Sequence, residues 1–551
     1  MPTVSFHKPL YYLIGLAVLV NFSGLFVPLM DPDAGVYASI SKSMVQQNDY
    51  VNLFFQDTDW LDKPHFPFWI TAVFFKIFGF HDWAYKIPGI LFVMMGARYT
   101  YLFARKYYNE TIALWSAFIL LTSLHIIISN NDVRAEPYLT GLIIAAVYHF
   151  SNSLNKGFGW QLIAACLFSA CAVMTKGIFT LIPIGGAIAG ELMIKKNWKQ
   201  LFHWRWLVAL VLIIVFISPE LYCLWKQFDQ HPEKTVLGTQ NVSGIKFFLW
   251  DSQFGRFFNT GPIKGKGDKL FFVHTLLWAF LPWSLLLYAA LFAKIRGGIK
   301  KTRTNYNEWF TISGSLLTLL VFSFSSFQLP HYANILFPML AILCAHFIWQ
   351  QVEANKKVFG AIQDILAVLL LILVVGLALF YRPYFTWFTI TALAVMILLV
   401  FLVGAIIKHK TPYTPYMRSG FAILVAGLFL NLSFYRDLLR YQSGNAAAAY
   451  LNKYHPGTEL GRIGIYFPAG EFYLKQHTYR TDTSSISNGS FPRTRMLFVT
   501  SEELKQLQEK AVALDIVKEF KEFHVTMLSL KFLNPKTREK ELKDQYLIRL
   551  L

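Results

Sequence analysis

Apolar and polar residues follow one another along this chain in long blocks. Predominantly apolar runs fall at about 9–30, 84–104, 111–129, 136–151, 160–175, 178–194, 206–225, 270–293, 309–327, 331–350, 358–380, 385–407 and 417–435. A helix rising about 1.5 Å per residue needs roughly 20 residues to cross about 30 Å of hydrocarbon, and runs of this length supply them. Barrel strands would show segments of about ten residues alternating with period two, a pattern absent from this sequence. The expectation is an α-helical integral membrane protein with about 13 transmembrane helices. The first run, with only His7 and Lys8 ahead of it, is too long for a cleaved signal and reads as a retained signal-anchor.

Two polar intervals are longer than a connector needs: about 31–83 and 226–269. The first holds Asp31, Asp33, Lys42, Asp49, Asp57, Asp59, Asp62 and Lys63, then Pro64 and Pro67. A loop of that length is usually kept for function. After Tyr441 the periodicity changes: GRIGIYF (461–467) and RMLFVTS (495–501) read as strands. SEELKQLQEKAVALDIVKEFKEF (501–523) reads as an amphipathic helix opened by a Ser-x-Glu cap, and HVTMLSLKFL (524–533) as a further strand. The chain thus divides into a transmembrane part, 1–436, and a small soluble α/β domain, 437–551.

Composition agrees: hydrophobic residues make up 55% and charged residues 15%, against about a quarter charged in ordinary soluble proteins. A formal net charge of +19 would suit a nucleic-acid partner, but the positions of the cations exclude that reading. They occupy alternate loops: Arg105 and Lys106; Lys156; Lys195, Lys196, Lys199 and Arg205; Lys294, Arg296, Lys300, Lys301 and Arg303; Lys356 and Lys357; Lys408, Lys410 and Arg418. Basic loops stay inside. The N-terminus is then cytoplasmic, and both long loops and everything after Arg436 lie outside. Cys166, Cys171, Cys223 and Cys344 all sit in apolar runs and read as packing residues.

Several ionisable clusters fall on the outer side. Asp31 and Asp33 flank Pro32 ahead of Ala34, Gly35 and Tyr37, and neighbouring carboxylates raise one pKa, as a proton acceptor requires. Asp62-Lys63-Pro64-His65-Phe66-Pro67 sets a lysine against prolines, suited to a phosphate leaving group, while Asp62 has an ion pair or a metal open to it. NNDVRAEP brings Asp132, Arg134 and Glu136 to a membrane re-entry point. A buried charge there costs about 2.5–3.5 kcal/mol, so Glu136 calls for a polar cavity or a partner, with Arg134 the obvious one. Thr175-Lys176-Gly177 interrupts two apolar runs, Arg256 lies in the second long loop ahead of Leu281-Pro282-Trp283, and His331 and Tyr332 sit at a tight outer turn. Lys63, Lys176 and Arg256 together would make a cationic set for a phosphate. Singly, each of these residues is as well explained by a solvated helix end or a base snorkelling to lipid headgroups.

In this order the stations resemble the bacterial C-type glycosyltransferases over residues 1 to about 435, most closely the lipid A aminoarabinose transferases and more distantly the protein O-mannosyltransferases. The resemblance implies an inner-membrane enzyme with a periplasmic C-terminal domain. Its substrates would be a polyprenyl-phosphate-linked sugar donor and a lipid, glycan or protein acceptor on the outer face. It implies Asp33, within PDAGVYA, as the catalytic carboxylate, Lys63 on the donor phosphate, and Glu136 where relatives more often carry Asp. Arg256 and Tyr332 would line the donor cavity, with Lys176, Tyr37, Arg134, Asp31 and His331 as further substrate-binding candidates. The chain departs from that pattern at Ala34 and Val36, where relatives carry Glu and Arg. It departs again in GPIKGKGDKLFF, which offers no histidine before His274 to complete the metal site that those enzymes build on the Asp62 position. No other cofactor is implied. The alternative, a transporter or flippase of lipid-linked sugars, predicts repeated halves and charges at mid-membrane, whereas these charges crowd the outer ends.

Overall fold

The computed structural model describes residues 4–56, 58–156, 158–261, 263–299, 308–406, 411–488 and 496–551. Asp57, Lys300, Lys301, Arg303, Lys408 and Lys410 lie outside the described residues. With no water in hydrocarbon to satisfy the backbone, an apolar segment must pair its N–H and C=O groups internally, and the long runs are indeed helices. Five of them, among the described residues, are long and apolar enough to cross a membrane: Asp82–Tyr107, Trp198–Asp229, Pro330–Glu353, Val358–Tyr381 and Thr414–Tyr441. Shorter apolar helices accompany them, and the whole is a multi-pass α-helical membrane protein with a small, strand-containing C-terminal domain. The four cysteines are free.

In chain order the first helices are α1 (Val4–Phe22), α2 (Asp33–Gln47), α3 (Phe66–Phe78), α4 (Asp82–Tyr107), α5 (Glu110–Leu121), α6 (Leu124–Ser129), α7 (Ala135–Lys156) and α8 (Trp160–Lys176). Between α2 and α3 runs a two-residue hairpin, β1 (Phe54–Phe55) against β2 (Thr58–Asp59). The first long loop is therefore largely structured. At 1.5 Å per residue, α3 is about 20 Å long, too short to span, and it buries Phe68, Thr71, Ala72 and Phe75. The Leu-Pro-Trp station turns out to be packing: Trp283 is fully buried, stands edge-on to Trp115 at 6.4 Å, and donates its Nε1–H to Thr122 Oγ1 at 3.1 Å.

The C-terminal module is a five-stranded sheet in the order β4-β3-β5-β7-β6. Its strands are β3 (Leu460–Ile463), β4 (Thr478–Arg480), β5 (Met496–Thr500), β6 (Leu514–Glu522) and β7 (Lys543–Leu550). β3 runs parallel to β4 and β5, while β7 is antiparallel to β5 and β6. The expected single helix over 501–523 is corrected here. It stops at Glu509, Ala511 turns the chain back with φ 52°, and the remainder becomes β6. Pairing with β7 buries Phe520 and outweighs the helical propensity of this charged stretch. The cap is Thr500, reciprocated by Glu503, one residue earlier than expected. The strand expected at 524–533 is a turn leading into the short helix Leu530–Leu533, and the true last strand, β7, was not anticipated.

This module holds α2 along one side. Ala469 N donates to Asp31 Oδ1 at 2.7 Å, Ser39 Oγ to Pro468 O at 2.9 Å, and Lys42 Nζ to Glu471 O at 3.1 Å and Phe472 O at 2.9 Å. Gln442 closes the other end, accepting from Asp31 N at 3.0 Å and donating to Leu29 O at 3.1 Å. Gly35 lies so close to the backbone of Pro468 and Ala469 that a Cβ has no room.

Candidate active site

Asp33 is the first residue of α2, and its carboxylate faces inward to a cavity. Arg134 meets it from the segment between α6 and α7, with Nη1 2.7 Å from Asp33 Oδ2 and Nε 2.8 Å from Asp132 Oδ2. That segment is pinned by buried amides. Asn130 Nδ2 donates to Asn21 Oδ1, and Asn131 Nδ2 to Asn431 Oδ1, each at 2.7 Å. The Asp33 side chain is 44% exposed and lines the cavity. Enclosure by protein elsewhere raises its pKa above the ordinary carboxylate value, and the Arg134 charge opposes that rise. Burial disfavours the Arg134 charge, but Asp132 and Asp33 outweigh it, so the guanidinium stays protonated.

Asp62 and Lys63 follow the hairpin. Asp62 pairs through one oxygen with Lys63 and through the other with Arg256, which follows the π-helical segment Phe247–Gly255. The turn is locked by His65, whose Nδ1 lies 3.0 Å from Glu220 Oε1, whose Nε2 lies 2.9 Å from Val51 O, and whose backbone N donates to Glu220 Oε2 at 3.0 Å. Both side chains are fully buried. Glu220 was not among the residues singled out from sequence. Its one signal is a carboxylate inside the apolar run 206–225.

Glu136, in the first turn of α7 and 2% exposed, accepts a hydrogen bond from Lys176, the last residue of α8. His331 Nε2 lies 3.8 Å from the same Glu136 oxygen. The Lys176 ammonium also sits 3.6 Å from the centroid of the Tyr332 ring, a cation–π contact. Gly177, at φ 100°, turns the chain immediately after it, and Gln253 Nε2 donates to Lys176 O at 3.1 Å. The pair expected from sequence, Arg134 with Glu136, is therefore replaced by two: Arg134 with Asp33 and Asp132, and Lys176 with Glu136.

These groups surround one cavity of about 520 Å³, which Asp33, Tyr37, Asp62, Lys63, Arg134, Glu136, Lys176, Arg256, His331 and Tyr332 all line. Asp31 does not line it. Asp31 lies under the C-terminal module, where burial pushes its carboxyl well above the usual range against the pull of the Ala469 N–H. A second space of about 770 Å³ shares Asp62, Lys63, Lys176, Arg256 and Tyr332, and continues between Leu139, Phe179, Phe322 and Ile335. Phe179 then borders an apolar trough of about 620 Å³ walled by Phe254, Phe257 and Phe258. Polarity thus falls steadily from Asp33 outward.

A divalent cation does not fit this donor set. Asp62 has both oxygens committed to cations, and no group of three or more His, Cys, Asp or Glu suited to a metal occurs among the described residues.

Residues 62–223 match the family model described as dolichyl-phosphate-mannose-protein mannosyltransferase. Among curated proteins, the chain is 27% identical over 349 residues to an undecaprenyl phosphate-alpha-4-amino-4-deoxy-L-arabinose arabinosyl transferase of Erwinia tasmaniensis, covering 62% of this chain and 58% of that protein. The protein of the same description from Pseudomonas aeruginosa is 25% identical over 354 residues, covering 62% and 60%. The chain thus spans about three-fifths of the length of these curated relatives. Its fold matches the crystal structure of ArnT from Cupriavidus metallidurans bound to undecaprenyl phosphate, with a TM-score of 0.75, 16% identity and 98% of each chain covered. The apo form of that protein matches with a TM-score of 0.71. By sequence over part of its length and by fold over nearly all of it, this chain resembles the ArnT-like, polyprenyl-phosphate-dependent glycosyltransferases.

Proposed function

We propose that the protein transfers a glycosyl group from a polyprenyl-phosphate donor to a lipid, glycan or protein acceptor at the outer face of the cytoplasmic membrane. One observation carries this reading: the cavity that gathers Asp33 and four cations shares Asp62, Lys63, Lys176, Arg256 and Tyr332 with a second space, and that space shares the Phe179 wall with an apolar trough. A long isoprenoid tail suits the trough, and a phosphate suits Lys63, Lys176 and Arg256. The relatives named for undecaprenyl phosphate substrates support the same donor class.

The reaction is a single displacement. The acceptor oxygen bonds to the anomeric carbon while the bond from that carbon to the phosphate oxygen breaks, and its electron pair leaves with polyprenyl phosphate. Configuration inverts. Asp33 takes the acceptor's proton, or orients an acceptor that arrives already ionised. Lys63 and Arg256, positioned by Asp62, neutralise the charge growing on the leaving phosphate, as Lys176, positioned by Glu136, does from the other side. Tyr37, His331 and Tyr332 complete the walls around the sugar.

The same reading keeps about 13 spans, a cytoplasmic N-terminus, and a boundary near residues 436 and 437 to a periplasmic C-terminal domain. Membranes carrying the protein, given a radiolabelled polyprenyl-phosphate sugar and an envelope extract, should release free polyprenyl phosphate. Asp33→Ala and Lys63→Ala should each reduce release by at least about a hundred-fold. Full turnover by both folded variants overturns the assignment.

A further inference from the structure

A separate polar space of about 840 Å³ lies between the far half of α2 and the C-terminal module. Ser43, Gln46 and Gln47 face it from α2, one helical turn apart. Phe54 and Gln56 enter from the hairpin and Lys475 from the module. The Gln56 side chain adds a further amide to the lining, its Nε2 buried with no hydrogen-bond partner among the described residues.

The charges nearby are already committed. Lys42 donates to the carbonyls of Glu471 and Phe472, and the Glu471 carboxylate accepts from Thr478 Oγ1 at 2.8 Å and sits 3.6 Å from Arg462. Beside Lys42 and Glu471, the cleft is lined by glutamine amides, serine hydroxyls, two phenylalanine rings, the imidazole of His477 and Lys475. Amides and hydroxyls both donate and accept, as sugar hydroxyls do, and an aromatic face matches the C–H side of a pyranose. A peptide would look for apolar anchor pockets, whereas ten of the twelve lining residues are polar.

The cleft also leads toward the active site. Phe55, next to Phe54 on β1, stands edge-on to Tyr466 of the module at 6.0 Å. Tyr466 in turn lies within the field of Asp31 and Asp33, whose charges add to burial in raising its phenol pKa. From these observations we infer that the cleft between α2 and the C-terminal module binds the glycan portion of the acceptor, some sugars away from the reacting group. The inference rests on the transferase reading above only for its placement on the acceptor side.

Two measurements test it. Full-length protein in detergent is applied to a printed array of lipid-free bacterial envelope oligosaccharides. The wild type should bind members of the array, with affinity falling at least about ten-fold in Ser43→Trp, which fills the cleft, and in the exposed pair Gln46→Ala/Gln47→Ala. In the transfer assay, the same variants should raise KM for the envelope acceptor while kcat and the KM for donor stay unchanged. Transfer without array binding by the wild type, or binding that both variants retain, overturns the cleft and leaves the transferase reading standing. Array binding sensitive to both variants, with no transfer by the wild type, sustains the cleft and overturns the transferase reading.

Discussion

Arg134→Met removes the cation that faces Asp33 and should move the pH dependence of transfer. At the observed 2.7 Å, two unit charges attract by about 6 kcal/mol at an effective dielectric of roughly 20 and about 1.5 kcal/mol at that of water. The Asp33 side chain is 44% exposed, so screening places the value in the lower part of that range, about 1.5–3 kcal/mol. The sign follows from the charge: a carboxylate that loses its cation holds its proton more tightly, so the basic form disappears at a higher pH. The acidic limb of kcat/KM for polyprenyl phosphate release should move to higher pH in Arg134→Met and move less in Arg134→Lys. A folded Arg134→Met enzyme whose acidic limb stays in place would refute Arg134 as the group that governs Asp33. A wild-type profile with no acidic limb would refute Asp33 as the base.

Lys176→Met leaves Glu136 buried without its cation and should destabilise the fold by about 3–5 kcal/mol in denaturant or thermal unfolding, whereas Lys176→Met/Glu136→Leu should recover most of that loss while staying inactive. Equal stability in the single and double variants would show that the pair is not coupled. Glu220→Ala strips His65 of both its ring partner and its backbone partner, with an expected loss of about 2–4 kcal/mol and a raised donor KM as Lys63 loosens; an unchanged KM would disconnect His65 from the site. Phe179→Ser should raise KM for a long-chain polyprenyl donor several-fold and leave a short-chain isoprenoid analogue unaffected, since about 1.5–3 kcal/mol of apolar burial is at stake only for the long tail. Equal effects on both donors would place the tail elsewhere.

The cavity was legible from sequence to an unusual degree because its residues sit at polar interruptions of apolar runs, where an ionisable side chain has few bland explanations. Asp33, Lys63, Glu136, Lys176, Arg256, His331 and Tyr332 all come from such breaks, and all line the cavity. Pairing was not legible. Arg134 lies two residues from both Asp132 and Glu136, and only the direction of its side chain selects Asp132 and Asp33 over Glu136. Asp31 misleads for a similar reason: two residues from Asp33 on the chain, it faces the C-terminal module, a partner more than 400 positions away. Glu220 was overlooked because one carboxylate hardly alters the hydropathy of a 20-residue helix. In the module, residues 514–522 have a helix-like charge pattern and become a strand because β7, which no local signal marks, is there to pair with them.

The contacts that Ala469, Pro468 and Gln442 make with the start of α2 carry a consequence for how the molecule comes to life. The segment bearing Asp33 emerges early, whereas its clamp lies more than 400 positions further along the polypeptide. Until that piece has folded against Gly35 and received the side chain of Lys42, one side of the helix that sets the carboxylate opposite Arg134 lacks its anchor. On the proposed function, copies not yet extended through Ala469 would thus lack this support for the carboxylate and be poorly able to consume the lipid carrier.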